Sequence, residues 1–273
     1  MADEFAMFGS KPQFAEKLII SCSEPVSNQV VDSENTGNAI MLSSPGASLA
    51  PQRVRQEITK LIGENPIREI AVLLHTECFA LDAIYQTLRE GKNMDPQIYS
   101  LFAEPFKANH IILGNRRNFG IKANKELQSL LIGSLMEGWQ QEAGGFSGTM
   151  RLTLKIYDSL EPLQNSASAN LLVAYPSRQH YSYLLDDVSD MIGRKLDIKN
   201  TCILQPHILQ PPDPNAIKFL LQEKDIKYLI FYAEGHKISE MKKLARGLSE
   251  NKLIQDGNVR LYVVNKPTKI LRH

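Results

Sequence analysis

Cysteine is scarce in this chain: three residues in 273, an odd number that cannot pair off completely. One of them stands close to a histidine. That argues against a disulfide framework and predicts a reducing compartment, cytoplasmic or another intracellular one, with metal or thiol chemistry. Charge of one sign is lacking as well. Lysine plus arginine number 31 against 30 acids, a net charge of +1, so no electrostatic footprint for nucleic acid or an anionic membrane is expected. Long apolar runs are absent; the longest are strand-sized, far below the roughly 20 residues needed to span a bilayer. The start, MADEFAMFGSKPQ, is acidic and lacks a charged-then-apolar leader pattern, so no secretion is expected. No Gly-x-Gly-x-x-Gly follows a first strand and no Walker-type loop is present, which weighs against a nucleotide-binding domain. The remainder is ordinary: 43% hydrophobic and 22% charged residues suit a packed globular protein and exclude a disordered chain. The length allows one large domain or two small ones.

Short apolar runs alternate with helical stripes. Leu18–Ile20, Ala39–Leu42 and Ile70–Leu74 are continuous apolar runs of the kind buried on both faces of a parallel sheet. Val54, Ile58, Leu61 and Ile62 follow a helical stripe that Gly63 is expected to stop. Leu81, Ile84, Tyr85 and Leu88 form another, closed by Gly91. A later strand over 151–157 places Leu152, Leu154 and Ile156 on one face. The order strand, strand, helix, strand, helix implies a layered α/β fold with a mostly parallel sheet flanked by helices.

The second half repeats the plan. Leu171–Tyr175 resembles the first strand, Cys202–Leu204 the second and Ile226–Phe231 the third. Ile238, Met241, Leu244, Ala245 and Leu248 keep the helical period, and Val259–Val264 matches the strand at 150–155. The chain is therefore read as two tandem halves, 1–163 and 164–273, joined at the small polar linker Gln164–Ser168. The proline-rich stretch Gln205–Pro214 is expected to be a loop. Asn115–Asn118 reads as a basic surface turn and Trp139 as core.

Cys22 directly follows the first strand; His75 ends the third, with Cys78 three residues on. The carboxyl ends of neighbouring parallel strands share one edge, where ligands bind. Residues separated by 75 − 22 = 53 positions can therefore converge there. Two thiolates and an imidazole form a known catalytic zinc set. The same residues also fit a plain core, since cysteine is among the most buried residue types. Cys202 lies in an expected buried strand and reads as core. His207, in the proline-rich loop, can reach the first half's pocket if the halves pair. His110, His180, His236 and His273 have no partner at ligand spacing, and Glu77 reads as a solvated turn residue.

Three segments together resemble the β-class carbonic anhydrases. That family carries Cys-Ser-Asp-Ser-Arg after its first strand; here the chain reads Cys22-Ser23-Glu24-Pro25-Val26. The family's next strand and loop correspond to Gly37–Ala47, and its Gly-His-Thr-x-Cys-Gly to Leu74-His75-Thr76-Glu77-Cys78-Phe79. The strand Leu154–Asp158 is similar to the family's last one, which also ends in Tyr-Asp. The resemblance covers about 17–160 and, more faintly, the second half. It implies a zinc ion held by Cys22, His75 and Cys78. It also implies a lyase reaction, the reversible hydration of carbon dioxide to bicarbonate, for which zinc lowers the pKa of bound water. The family works as a dimer, and the two halves of this chain would form a pseudo-dimer in one polypeptide. Tyr175, Glu234 and Lys237 stand where the first half has Cys22, His75 and Cys78, so the second half should bind no metal.

The departures matter. In the family the Asp of the first segment accepts a hydrogen bond from the zinc-bound water, and the Arg pairs with that Asp and keeps it off the metal. Glu24 takes the Asp position and Val26 the Arg position, and Ser43-Ser44-Pro45-Gly46 lacks the family's Arg-Asn pair. Valine cannot pair with a carboxylate. Glu24 can then be the catalytic carboxylate near the water, or a fourth ligand that closes the site. Two functions follow: a zinc lyase acting on carbon dioxide with weakened or altered activity, or a non-catalytic subunit of a larger protein assembly with a structural zinc.

Overall fold

The computed structural model describes residues 15–35, 38–47, 52–76, 78–90, 150–157, 169–175, 180–205, 214–250 and 252–266. Strands β1 (Lys17–Cys22), β2 (Ala39–Ser44), β3 (Glu69–His75) and β4 (Arg151–Tyr157) form one parallel sheet in the order β2-β1-β3-β4. Strands β5 (Ala169–Ala174), β6 (Thr201–Leu204), β7 (Ile226–Glu234) and β8 (Arg260–Lys266) form a second, again parallel, in the order β6-β5-β7-β8. The expected fold class is the observed one: two tandem α/β halves of the same strand order. The continuous apolar runs mark β1, β2 and β3, which are buried along nearly their whole length although β2 is an edge strand of its sheet.

The registers match as well as the order. Leu18 pairs with Ile40 and Ile70, and Leu171 pairs with Cys202 and Leu229. Ile70 then pairs with Leu152 as Leu229 pairs with Leu261. Carrying this register along the strands sets Cys22 opposite Tyr175, and Ser43 opposite Gln205, as equivalent positions. Ser43 and Gln205 meet each other in an antiparallel bridge that joins the edge strands of the two sheets. A position that pairs with its own equivalent lies on a twofold relation, as at an isologous dimer interface.

Seven helices surround the sheets: α1 (Pro25–Glu34), α2 (Gln52–Glu64), α3 (Phe79–Glu90), α4 (Tyr181–Ile192), α5 (Pro214–Glu223), α6 (Ile238–Leu248) and the short α7 (Lys252–Gln255) are those among the described residues. Leu18, Ile20, Ile70 and Val72 face α2 through Ile58, Leu61 and Ile62. Ile19, Met41 and Leu73, on the opposite face, share one core with Leu172, Ile203 and Ile230 under Val31 of α1 and Leu184 and Val188 of α4. The halves thus share a core as well as a sheet edge. Asn28 of α1 donates to the carbonyls of Ile198 and Thr201, both 2.9 Å away.

Some local expectations change. Helices α1, α4 and α5 were not legible as stripes. In α1 only Ser27, Asn28 and Val31 are buried, so polar residues form much of its inner face. Gly63 does not stop α2, which runs through Glu64. The residue after a helix, rather than one within it, is where a left-handed glycine ends it, as Gly193 does for α4 at φ 64°. Pro214 opens α5 instead of closing a loop, since proline's fixed φ suits a first helical position. Gln205 is extended and bridged, and 206–213, with His207, lie outside the described residues, as do Gly91, 115–118, His110, Trp139, the 164–168 linker and His273.

Candidate metal centre

The site sits at the carboxyl edge of the first sheet. Cys22 is the last residue of β1 and His75 the last of β3, neighbouring strands that run the same way. Cys78 immediately precedes α3. Glu24 lies in the turn between β1 and α1, with Pro25 fixing the first helical residue behind it. The four donor atoms of Cys22, Glu24, His75 and Cys78 all lie within 4.8 Å of one another, and all four residues are buried. The structure therefore brings together every site residue expected from the sequence.

Three of the six donor separations match the edges of a tetrahedral site, and all six lie within 4.8 Å. Zinc bonds of about 2.3 Å to sulfur and about 2.1 Å to nitrogen or oxygen imply edges of about 3.8 Å between two sulfurs, about 3.6 Å between sulfur and oxygen, and about 3.4 Å between nitrogen and oxygen. Here Cys22 Sγ and Cys78 Sγ are 3.8 Å apart. Cys22 Sγ lies 3.6 Å from Glu24 Oε1, which lies 3.4 Å from His75 Nε2. His75 Nδ1 is 2.8 Å from the Thr76 carbonyl. A bond there sets the tautomer that presents Nε2 to the other donors.

Neighbouring groups support the anions. The Gly46 N–H donates to Cys22 Sγ at 3.3 Å. Gly46 sits at φ 65°, a left-handed turn that aims this N–H and that L side chains disfavour. The Phe79 N–H donates to Glu24 Oε1 at 3.0 Å, so the carboxylate lies at the amino end of α3, where the helix dipole favours negative charge. Glu24 is not left alone by Val26, as the sequence suggests. Lys224 Nζ, from the turn between α5 and β7, lies 3.7 Å from Glu24 Oε2. This cation is 200 positions from Glu24, and no local motif marks it.

Burial and the neighbouring charges shift the four groups in different directions. Burial raises the Cys22 pKa, but the Cys78 thiol and the His75 charge outweigh it and bring the value down to about 6. Burial and the neighbouring Cys22 push the Cys78 thiol well up. His75 loses hydration, yet Glu24 and Cys22 together raise its pKa well above the usual imidazole value. Burial would raise the Glu24 pKa, and His75 and Lys224 hold it below the usual carboxylate range instead.

The second half has no such cluster among the described residues. Tyr175, equivalent to Cys22, donates its hydroxyl to Glu240, whose other oxygen lies 3.1 Å from Lys237 Nζ. A cation and a phenol there replace two thiols. Cys202 is fully buried, as expected, in a core that spans both halves and also holds Cys22 and Cys78. The Glu77, Glu234 and His236 side chains lie outside the described residues, and His180 lies 3.9 Å from Asp32.

No family model matches the chain, and no curated protein matches its sequence. Among solved structures it is similar to a tetrameric β-carbonic anhydrase from the filamentous ascomycete Sordaria macrospora, with 15% identity, a TM-score of 0.37, and 54% of this chain covering 77% of that one. It is also similar to the β-carbonic anhydrase CafA of the fungal pathogen Aspergillus fumigatus, with 13% identity, a TM-score of 0.37, and 68% of this chain covering 85% of that one.

Proposed function

We propose that this chain binds one zinc ion through Cys22, His75, Cys78 and Glu24, and that carbon dioxide hydration by it is weak because Glu24 occupies the position an open site leaves to water. One observation carries the reading: the Cys22–Cys78, Cys22–Glu24 and Glu24–His75 separations match three of the six edges of a four-donor tetrahedron. The carbon dioxide and bicarbonate assignment rests on the sequence resemblance at Cys22, His75 and Cys78. When bound, zinc would lower the pKa of a water molecule or polarise a small electrophile.

The chain's own residues do the rest. Cys22 and Cys78 supply thiolate charge, and His75 must release its proton before Nε2 can act as a donor. Gly46 and Phe79 orient Cys22 and Glu24 by backbone donation. Glu24 is the gate: with Oε1 among the donors the site is closed, and with it displaced a fourth position opens.

A second reading is favoured by the same closure. All four donors are buried, which suits a structural zinc in a non-catalytic subunit of a protein assembly. Stopped-flow carbon dioxide hydration with the zinc-loaded chain separates the two. A rate above buffer that disappears in His75→Ala is the expected result for a weak enzyme. A rate equal to buffer assigns the zinc to structure alone. The two tandem halves are read as an internal duplication in which the second half completes the fold of the first. Both readings place the protein in a reducing intracellular compartment, where Cys22 and Cys78 stay available as ligands.

A further inference from the structure

We propose that Lys224, a residue of the second half, is a positioning residue of the first half's metal centre: it holds one oxygen of Glu24 and leaves the other as the sole carboxylate oxygen among the donors. This rests on the zinc reading above and adds the residue that shapes the Glu24 ligand.

The two oxygens of Glu24 have different surroundings. Oε1 accepts from Phe79 N–H and lies among the donors. Oε2 faces Lys224 Nζ at 3.7 Å. The carboxylate is fully buried, and the Lys224 side chain is 16% exposed, so water screens this pair less than a surface pair. The ammonium also lies 4.3 Å from the centre of the Phe79 ring, a cation–π position. Phe79 in turn stacks on Phe219 of α5 at 5.5 Å. One corner, built by the start of α3 and the end of α5, therefore fixes both carboxylate oxygens.

Charge supplies the reason. Two thiolates, one carboxylate and a divalent ion sum to one excess negative charge, and burying it alone would be costly. Lys224 offsets it. The twofold relation gives an internal comparison. Lys224 N–H donates to the Leu220 carbonyl and Ile226 N–H to Lys224; Asn65 N–H donates to Leu61 and Ile67 N–H to Asn65 in the same way. Asn65 is thus the backbone equivalent of Lys224. It is uncharged, and its side chain turns back to the Leu61 carbonyl and the Ala15 N–H. The cation is present only in the turn that reaches the cysteine-histidine cluster.

The test uses the full chain, with zinc affinity measured by chelator competition and ligand number by the visible bands of the cobalt-loaded protein. Lys224→Met should weaken zinc binding on the order of 10–100-fold, the usual effect of removing an outer partner of a ligand, and should shift the cobalt bands. Lys224→Arg should restore most of the affinity. In a Glu24→Gln background, Lys224→Met should have little further effect, because no carboxylate remains to be held. Lys224→Gln keeps a hydrogen-bond donor without charge and gives the same reading if the methionine variant does not fold. Unchanged affinity and bands in the Lys224 variants, with the parent binding one zinc, would overturn the role of Lys224 alone. A parent that binds no zinc would overturn the zinc reading and this role with it.

Discussion

Ser43 and Gln205 exchange two backbone hydrogen bonds, of 3.1 and 3.2 Å, across the seam between the two sheets. The Ser43 hydroxyl adds a 2.6 Å bond to the Ile203 carbonyl. These residues are equivalent positions of the two halves, so the seam is the intramolecular counterpart of a symmetric dimer interface. Each half alone would expose a sheet edge and the apolar face now shared through Ile19, Met41, Leu172 and Ile203. A fragment of residues 164–273 should therefore aggregate when expressed alone. A soluble, cooperatively unfolding fragment in size-exclusion chromatography and thermal melts would show that the halves are independent.

Metal content gives the next test. Elemental analysis of the purified chain should find one zinc equivalent, since the second half places Tyr175 and Lys237 at the corresponding positions. His75→Ala combined with Cys78→Ser should abolish it. Chelation of the parent should lower the melting temperature, because binding energy at a site assembled by folding is partly folding energy. Two equivalents, or full retention in the double variant, would place the metal elsewhere.

Asp32 of α1 caps a helix of the other half. Its carboxylate accepts from the Tyr181 and Ser182 N–H groups at the start of α4, the second at 3.0 Å. His180, at the N-cap, makes no side-chain cap bond. Asp32→Ala should cost about 1 kcal/mol in urea unfolding, the usual loss for a helix cap, without changing zinc content. An unchanged midpoint would mean that the cap contributes nothing to joining the halves.

Acid should weaken the first half through Glu34 and Glu69. Hydrogen bonds from Lys155 and Lys17 hold the Glu34 pKa below its ordinary value. Burial works against Glu69, but Arg151 and Lys17 still lower its pKa. For a carboxylate whose folded pKa lies below its unfolded one, the stabilisation is present above the unfolded pKa and is lost as pH falls through the folded one. The loss should therefore begin near pH 4.5, the unperturbed value, and continue below it. Both side chains are partly exposed, so solvent screening limits the size of the effect. Urea midpoints measured across this window should fall less steeply in a Glu34→Gln, Glu69→Gln variant than in the parent.

Reopening the centre is the catalytic test. Glu24→Asp shortens the carboxylate, and Val26→Arg adds a second cation beside it. Together they should draw the carboxylate from the donor set and raise carbon dioxide hydration in stopped-flow indicator assays. Each change alone should do less, because the two residues act as a pair. No gain in the double variant would mean that Lys224 already fixes the carboxylate too firmly to be displaced.

The strands and the cysteine-histidine cluster were legible locally. Ile19–Ser21 and Ile70–Leu74 are apolar or small because interior parallel strands are covered on both faces, and Cys22, His75 and Cys78 sit where such strands end. The twofold plan was legible because each half repeats its strands in order. Helix α1 was not, because Asn28 and Ser27 replace apolar residues on its buried face. The Asn28 amide finds its acceptors in the other half, at the Ile198 and Thr201 carbonyls. Lys224 was hidden for the same reason. Nothing within a few residues of Glu24 or of Lys224 reveals their pairing; it exists because the halves fold against one another. Pattern and period determined which strands form and which strand ends carry the cysteines and the histidine. Long-range packing alone decided which cation faces Glu24, since electrostatic partnership depends on distance in space and not on separation along the chain.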